Sequence, residues 1–598
     1  MKSIEIIPLQ KPITASVSVP GSKSYTNRAL LLAALTPHPV TLFNPLFSDD
    51  TTAMIACLQA LGIRMNVSEN QIQIIGSIND IKGKAYTLDA DLSGTTIRFI
   101  TALATIIPGV KTIQGKEGLN NRPIKDLVDC LRQLGAKIAY LEKEGFPPLQ
   151  VTSSELTPGP VFLSGEISSQ YLSSLLMIAP VVGSITIAIE GDQISKPYID
   201  MTIDSMKHFG VTVTNNEYLE YVIDQKQKYT ATEYVIEGDF SSAGYFFAIA
   251  ALTESTITVK NLNPDSKQAD KKILEVCKKM ESVVTSGENE ITIAGKGVQS
   301  LEIDVADFPD QAQTLAVLAA FASGTTKLLG VQSLRVKETE RVVALQKELE
   351  KTGIQTETTN DSITIVGGNP KPASIETYGD HRMAMSFAVA GTKLSGMKIK
   401  NPDVVNKTFP EFWKKLNGIG VQTKTEEKTN IVLIGMRGSG KSTIGKLLAQ
   451  KLEKDFIDLD SLLEQKIGMP VAEIVAKHGW DYFRDYETKI VHAVANVTDT
   501  VIATGGGFVL RKNNIDALKQ NGIFVFLKAP TTTLIERIGD DANRAPLTDK
   551  KTKEEEMEEV WKQRKDLYEQ TADIIIDTAI INENMATEII MEKLKGKL

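Results

Sequence analysis

GSKSYTNRALLLAAL (21–35) opens on small polar and basic residues and closes on an unbroken run of Ala and Leu. A polar start feeding a run with no polar face describes a helix buried on all sides, with only its N-terminus near solvent. The pattern returns as SGTTIRFITALATII from Ser93, SSQYLSSLLMIAPVV from Ser168, SSAGYFFAIAALTES from Ser241, DQAQTLAVLAAFASG from Asp310 and GDHRMAMSFAVAG from Gly379. Successive copies begin 72, 75, 73, 69 and 69 residues apart, a spacing too even for chance. Between copies lies a second, more polar helix that mostly stops at a glycine: TTAMIACLQALG to Gly62, IKDLVDCLRQLG to Gly135, IDMTIDSMKHFG to Gly210, VVALQKELEKTG to Gly353 and FPEFWKKLNGIG to Gly420. The fourth copy, around Met280, lacks the glycine. Short alternating runs such as TITV at Thr256 and SITIV at Ser362 predict strands. The unit is about twice the length of a common solenoid repeat. Six units therefore predict an α/β fold of two lobes, three units each. The chain is expected to cross between lobes near 13–20 and 232–238, giving lobe I about 1–13 and 238–422 and lobe II about 20–232.

Composition narrows the function classes. With 42% hydrophobic and 23% charged residues the chain is a globular protein rather than a disordered one. MKSIEIIPLQ has no apolar core for a signal peptide, and no apolar run approaches the length of a membrane span, so a cytoplasmic protein is expected. Cys57, Cys130 and Cys277 are too few and too scattered for a disulfide framework or a zinc cluster and read as small buried hydrophobes. A net charge of −8 argues against general attraction to nucleic acid or an anionic membrane. Nothing in the sequence marks an oligomeric state. Small-molecule anions would have to be held by cations concentrated at a site.

The starts of the buried helices supply such cations. They carry Lys23, Ser24 and Arg28; Thr95 and Arg98; Ser168, Ser169 and Gln170; Asp310; and Asp380, His381 and Arg382. One hydroxyl at a helix start is an ordinary cap. Cations and hydroxyls at the same point of several repeats predict an anion-binding cleft, because helix N-termini present unpaired N–H groups and partial positive charge.

GSKSYTNR (21–28), SGTTIRF (93–99), NRPI (121–124), SSQYLSSLLM (168–177), SKPYID (195–200), RVKETER (335–341), GDHRMAM (379–385) and NKTFPEF (406–412) resemble, in order, the motifs of the 5-enolpyruvylshikimate-3-phosphate synthase family of enolpyruvyl transferases. The resemblance covers about 4–422 and implies two lobes with helices inside and sheets outside. It also implies transfer of the enolpyruvyl group of phosphoenolpyruvate to shikimate 3-phosphate with release of phosphate. By resemblance, Lys23, Gly94, Arg122, Arg341, Arg382 and Lys407 hold phosphoenolpyruvate. Lys23, Ser24, Arg28, Ser168, Ser169, Gln170, Ser195, Tyr198, Asp310, Ser333 and Lys337 hold shikimate 3-phosphate, and Lys23, Asp310 and Glu338 serve the proton transfers. Read as a helix, KETER sets Lys337 and Glu338 beside Arg341. Leu92 and Ser333 stand where relatives carry Asn, and His381 suits packing as well as a direct role. The cell-wall enolpyruvyl transferases carry a cysteine before the Arg-Pro motif; GKEGLNNRP (115–123) has none.

VQTKTEEKTN (421–430) is polar and aperiodic, and 423–430 reads as a linker between a transferase domain (1–422) and a second domain (431–598). There an apolar strand (431–434) runs into Gly435-x4-Gly440-Lys441-Ser442 and an amphipathic helix, a P-loop in its required context. Arg437, Gly438, Ser439 and Thr443 complete the loop that would cradle ATP. Lys441 would reach the β and γ phosphates, and Ser442 would coordinate Mg2+. FIDLDSLLE (456–464), WDYFRDYE (480–487), TGGG (504–507), RAPL (544–547) and RKDLYEQTAD (564–573) resemble the shikimate kinase family, whose domain is a P-loop kinase with a parallel sheet. The resemblance implies that Asp460, Arg484, Gly505, Gly506, Gly507 and Arg564 bind shikimate. It gives Asp458 to Mg2+ and Arg544 to the transferring phosphoryl group. Arg484, TGGG and Arg564 argue against a gluconate or nucleotide acceptor, and no named catalytic position is lost, as it would be in an inactive scaffold. The run KTKEEEMEEVWKQ (551–563) reads as a solvated helix face. The two halves, read from separate motifs, share an intermediate: the product of the second is the substrate of the first.

Overall fold

Each of the six apolar runs is a helix in the computed structural model: α1 (Lys23–Leu35), α2 (Gly94–Ala104), α3 (Ser169–Val182), α4 (Phe240–Thr253), α5 (Ala312–Ala319) and α6 (His381–Gly391). Every residue of α4 from Phe240 to Leu252 is buried, as a run with no polar face requires. The structure describes residues 3–152, 155–165, 168–224, 227–426, 430–495, 497–539, 546–548 and 552–595. The chain divides into two compact units, Ile4–Lys424 and Thr425–Leu598.

In the first unit each buried helix belongs to a four-stranded sheet of one repeated topology. For α2, α3 and α5 the strand before the helix is parallel to the strand after it, which then pairs antiparallel with one strand of a hairpin. Gly159–Ser164 lies parallel to Ile185–Glu190, for example, which pairs antiparallel with Glu220–Ile223, itself paired with Thr214–Asn216. The second helices end at Gly62, Gly135, Gly210, Gly353 and Gly420 with φ between 83° and 98°. In the fourth unit Glu281 takes that left-handed place at φ 63°.

Two strands change lobes. Thr14–Ser18 precedes α1 in sequence but pairs parallel with Thr256–Lys260, the strand after α4. Glu233–Val235 precedes α4 but pairs parallel with Val40–Phe43, the strand after α1. The crossings therefore fall near 19–21 and 236–239, where Gly21 and Gly238 form an antiparallel bridge. One core runs from Tyr25 to Ile236, and the other joins Ile4, Ile6, Val17 and Val19 to Phe240–Val421. The lobe boundaries read from sequence stop short of both strands, because a strand's partner is set by hydrogen bonds to residues far along the chain.

The sixth unit is completed by the N-terminus, its strands ordered Ser374–Ile375, Met397–Lys400, Ser3–Ile6 and Thr423–Glu426. Half of the expected linker is thus an edge strand, whose alternating β-branched Thr423 and Thr425 suit that place without needing an apolar face.

The second unit is built on a five-stranded sheet ordered Asp455–Asp458, Thr500–Ala503, Asn430–Ile434, Gly522–Lys528 and Ile574–Asp577. All four pairings are parallel. Along Asn430–Ile434, Val432 and Ile434 enter one core while Ile431 and Leu433 enter another, so both faces are covered and the strand has no polar side. The three cysteines are buried and unbridged.

Candidate active sites

The starts of α1, α2, α3, α5 and α6 open on one cavity of about 220 Å³ between the two lobes. Ser241, at the start of α4, lines a smaller cavity that shares Lys23, Asp310 and Arg382 with the first. The repeat therefore gathers the N-terminus of every buried helix, with its partial positive charge, on one place. Every residue that the sequence assigns to the transferase site borders the larger cavity except Lys407. Lys407 instead meets the Glu338 carboxylate at 3.0 Å. Leu92 is exposed and does not border the cavity.

Cations outnumber carboxylates in the lining of the cavity, and each of its carboxylates is held by a cation. Arg341 is buried and meets Asp380 at 2.7 Å, Glu338 at 2.8 Å and Asp310 at 3.4 Å. Asp310 also receives Arg382 at 2.7 Å. Burial alone would raise its pKa, but Arg382, then Lys337, Arg341 and Lys23, outweigh that and hold the carboxyl below its usual range. Glu338 is lowered in the same way, with Arg341 and Lys407 overcoming burial. Lys23 ion-pairs with Asp50 at 3.1 Å, and although burial works against the charge, Asp50, Asp310 and Glu338 keep the pKa raised. His381 is buried and, through burial and the neighbouring Arg382, far below the ordinary histidine pKa, so it is neutral. Arg28 donates to Thr202 (2.8 Å), Ser173 (3.3 Å) and the carbonyls of Ser24 (2.9 Å) and Tyr198 (3.0 Å), which fixes the cavity floor from α1 to the helix Lys196–His208.

Local structure corrects one expectation. Lys337 and Glu338 are not on the helix of Arg341, which begins at Arg341 itself. Glu340 accepts from the N–H groups of Val342 and Val343, an N-cap that stops the helix from extending backwards. Glu338 nevertheless reaches Arg341 from the loop. Asp50 and Tyr171 also border the cavity and were not assigned from sequence. Asp50 lies in the first turn of Asp49–Ala60, where an acid reads as a plain complement to the helix dipole.

In the second unit a cavity of about 470 Å³ lies at the carboxyl ends of the parallel strands, where open α/β sheets bind ligands. It is bordered by every assigned residue except Gly435, Ser439 and Arg544. Arg544 lies outside the described residues. Ser439 is buried in the loop, and the Gly435 carbonyl accepts from Lys441 Nζ at 3.0 Å, as does that of Met436 at 2.8 Å. Ser442 donates to Asp458, which also caps the helix carrying Asp460. Arg484 donates to both oxygens of buried Glu487, each at 2.8 Å; Glu487, like Asp50, was missed. A Cβ at Gly507 would stand 1.9 Å from Arg484 Nη2, so only glycine admits the guanidinium there. Arg564 donates to the Gly506 carbonyl at 3.0 Å, and its buried Nε has no partner among the described residues. Asp460 is pushed up to about 6, first by burial and then by the charges of Glu487 and Asp458.

A two-lobed cleft lined with helix N-termini and cations, followed in one chain by a P-loop site facing two arginines, defines a transferase of anionic substrates joined to a small-molecule kinase. The model of EPSP synthase (3-phosphoshikimate 1-carboxyvinyltransferase) matches residues 7–416, and that of shikimate kinase matches 437–595. The enzyme 3-phosphoshikimate 1-carboxyvinyltransferase of Shewanella halifaxensis is 38% identical over 427 residues, which cover 70% of this chain and all of that one. The pentafunctional AROM polypeptide of Yarrowia lipolytica is 34% identical over 609 residues, 95% of this chain and 39% of the longer relative. EPSP synthase of Acinetobacter baumannii shares the fold, with a TM-score of 0.63 at 24% identity over 71% of this chain and 100% of that one. The chain belongs to the EPSP synthase family and carries a shikimate kinase domain behind it. It is a bifunctional enzyme of the shikimate pathway, with ATP as a substrate of its kinase domain.

Proposed function

We propose that the cavity between the lobes binds shikimate 3-phosphate and phosphoenolpyruvate together. Lys23, Arg122, Arg341, Arg382 and Lys407, with the Gly94 backbone, take the phosphoenolpyruvate anion. Ser24, Arg28, Ser168, Ser169, Gln170, Ser195, Tyr198, Ser333 and Lys337 take the shikimate phosphate and ring hydroxyls. The observation that carries the reading is the gathering of Lys23, Arg341 and Arg382 with two ionised carboxylates, Asp310 and Glu338, on one cavity. In the addition, a substrate hydroxyl loses its proton as it attacks and the enolpyruvyl methylene carbon gains one. Elimination then expels phosphate and removes a proton from that methyl group. The carboxylates start as proton acceptors, and Lys23, kept cationic, is the group beside them able to give a proton.

In the kinase domain, Asp460 accepts from the shikimate hydroxyl to be phosphorylated, Arg484 and Arg564 hold its carboxylate, and Lys441 holds the ATP phosphates. Arg544 is assigned to the transferring phosphoryl group by its motif alone. The Ser442 hydroxyl beside the Asp458 carboxylate is a pair of hard oxygen donors, which fits Mg2+. When bound, that ion would neutralise phosphate charge. The absence of any helix among the described residues able to cross a membrane, together with three unbridged cysteines, supports a cytoplasmic enzyme.

The test is one reaction of shikimate, ATP, magnesium and phosphoenolpyruvate, with products followed by mass spectrometry. Lys441→Ala should abolish ADP formation while sparing synthesis from supplied shikimate 3-phosphate, and Glu338→Ala should do the reverse. Wild-type rates in either variant would sink the corresponding site, and loss of both activities in one variant would show that the halves are not independent.

A further inference from the structure

Behind the transferase cavity, Asp270 is a buried carboxyl with no role in the reaction described above. It lies in the 3-10 turn Ala269–Lys272, and the preceding Gln268 clamps that turn to the crossing segment. Gln268 donates to the Gly238 carbonyl at 2.8 Å and accepts from the Phe240 N–H at 3.1 Å. The Tyr198 hydroxyl, from the other lobe, lies 3.4 Å from Asp270 Oδ2 and 3.5 Å from Asp310 Oδ2. The second carboxyl oxygen of Asp270 is buried with no hydrogen-bond partner among the described residues. All three groups border a cavity of about 10 Å³, room for a single water.

Counting protons decides the state of this cluster. A phenol has one hydrogen, so it can satisfy only one of two carboxylates; the other would face its lone pairs in a buried site, a costly arrangement. A proton on one of the two carboxyls removes that conflict. Asp310 has Arg382 at 2.7 Å and Arg341 at 3.4 Å and is the ionised member. Asp270 has no ion pair among the described residues.

We propose that Asp270 is a positioning residue of the transferase: its protonated carboxyl donates to the Tyr198 oxygen, so that the Tyr198 hydroxyl donates to Asp310 and ties one lobe to the other behind the reacting groups. The inference rests on the reading that Asp310 serves the reaction. Asp270 is pushed up to about 7, first by burial and then by Asp310, with Arg382 opposing and Asp239 adding to the rise. Lys23 also faces the small cavity. As pH rises through about 7, Asp270 ionises, the chain of donors is broken, and a second negative charge enters beside Asp310.

The full chain, assayed for phosphate release from shikimate 3-phosphate and phosphoenolpyruvate between about pH 6 and about pH 8, tests this. Asp270→Asn keeps a neutral donor, so its kcat/KM should stay within about threefold of wild type and lose the alkaline decline centred near 7. Asp270→Ala should lower kcat/KM about tenfold and show no such decline. An Asn variant that keeps the decline, or falls as far as the Ala variant, overturns the proposal. If Asp270→Ala fails to fold by thermal melting, the Asn profile decides alone. Asp310→Asn separates the premises: full activity there would remove Asp310 from the reaction, whereas an inactive Asp310→Asn beside an Asp270→Asn of unaltered pH profile would overturn only the role of Asp270.

Discussion

At the scale of single residues, the role proposed for Asp460 predicts how the kinase responds to acid. Its carboxyl is raised to about 6 by burial and by Glu487 and Asp458. Below that pH it gains a proton and can no longer accept from the substrate hydroxyl. kcat/KM for shikimate should therefore fall about tenfold per unit below pH 6 and level off above it. The same shift makes protonation favour the native state as pH falls through 6, so this residue does not cause acid unfolding there. Asp460→Asn should remove the acid limb and lower the plateau about 100-fold. An acid limb that survives in the variant would assign the ionisation to another group.

At the scale of elements, the repeats share their stops and their contacts. Cys57 donates to the Asp89 carbonyl at 3.3 Å and Cys130 to the Phe162 carbonyl at 3.1 Å, in each case a thiol of a second helix meeting a backbone 32 residues onward. The fourth unit breaks the pattern at Glu281, where a side chain occupies the left-handed place that glycine fills elsewhere. That conformation costs a side-chain-bearing residue about 1 kcal/mol. Glu281→Gly should raise stability by about 0.5 kcal/mol, since glycine's looser unfolded state takes back part of the gain, and should leave both activities unchanged. Denaturant unfolding of the two proteins measures it; a loss of stability would mean that the Glu281 side chain contributes more than its backbone costs.

For the whole molecule, the relevant fact is that the two units hold separate cores: Tyr25–Ile236 and Ile4–Val421 residues in one, and the two faces of the parallel sheet in the other. Units that share no core residue should melt independently. Calorimetry should show two transitions, and ADP at about 100 times its Kd should raise one by about 2.7 kcal/mol while leaving the other in place. A single transition moved as a whole by ADP would show that the units unfold together.

The sequence by itself determined the repeat, the buried helices and the P-loop. These rest on local physics: periodicity, helix stops, and a loop whose phosphate site is built from consecutive residues. It also named most of the polar residues that border the cavity between the lobes, because each unit puts such residues at the start of a buried helix. What it missed had local signals that meant something else. Asp50 reads as a first-turn acid, Glu487 as one charge in a helix, Asp270 as one charge in a polar turn, and Thr423–Glu426 as linker. Only the tertiary structure decided that Thr14–Ser18 and Glu233–Val235 exchange lobes, that the helix begins at Arg341 behind a Glu340 cap rather than at Lys337, and that Asp270 shares a phenol with Asp310. Each depends on a partner distant in sequence or on competition for one hydrogen bond, and a linear pattern carries no record of either.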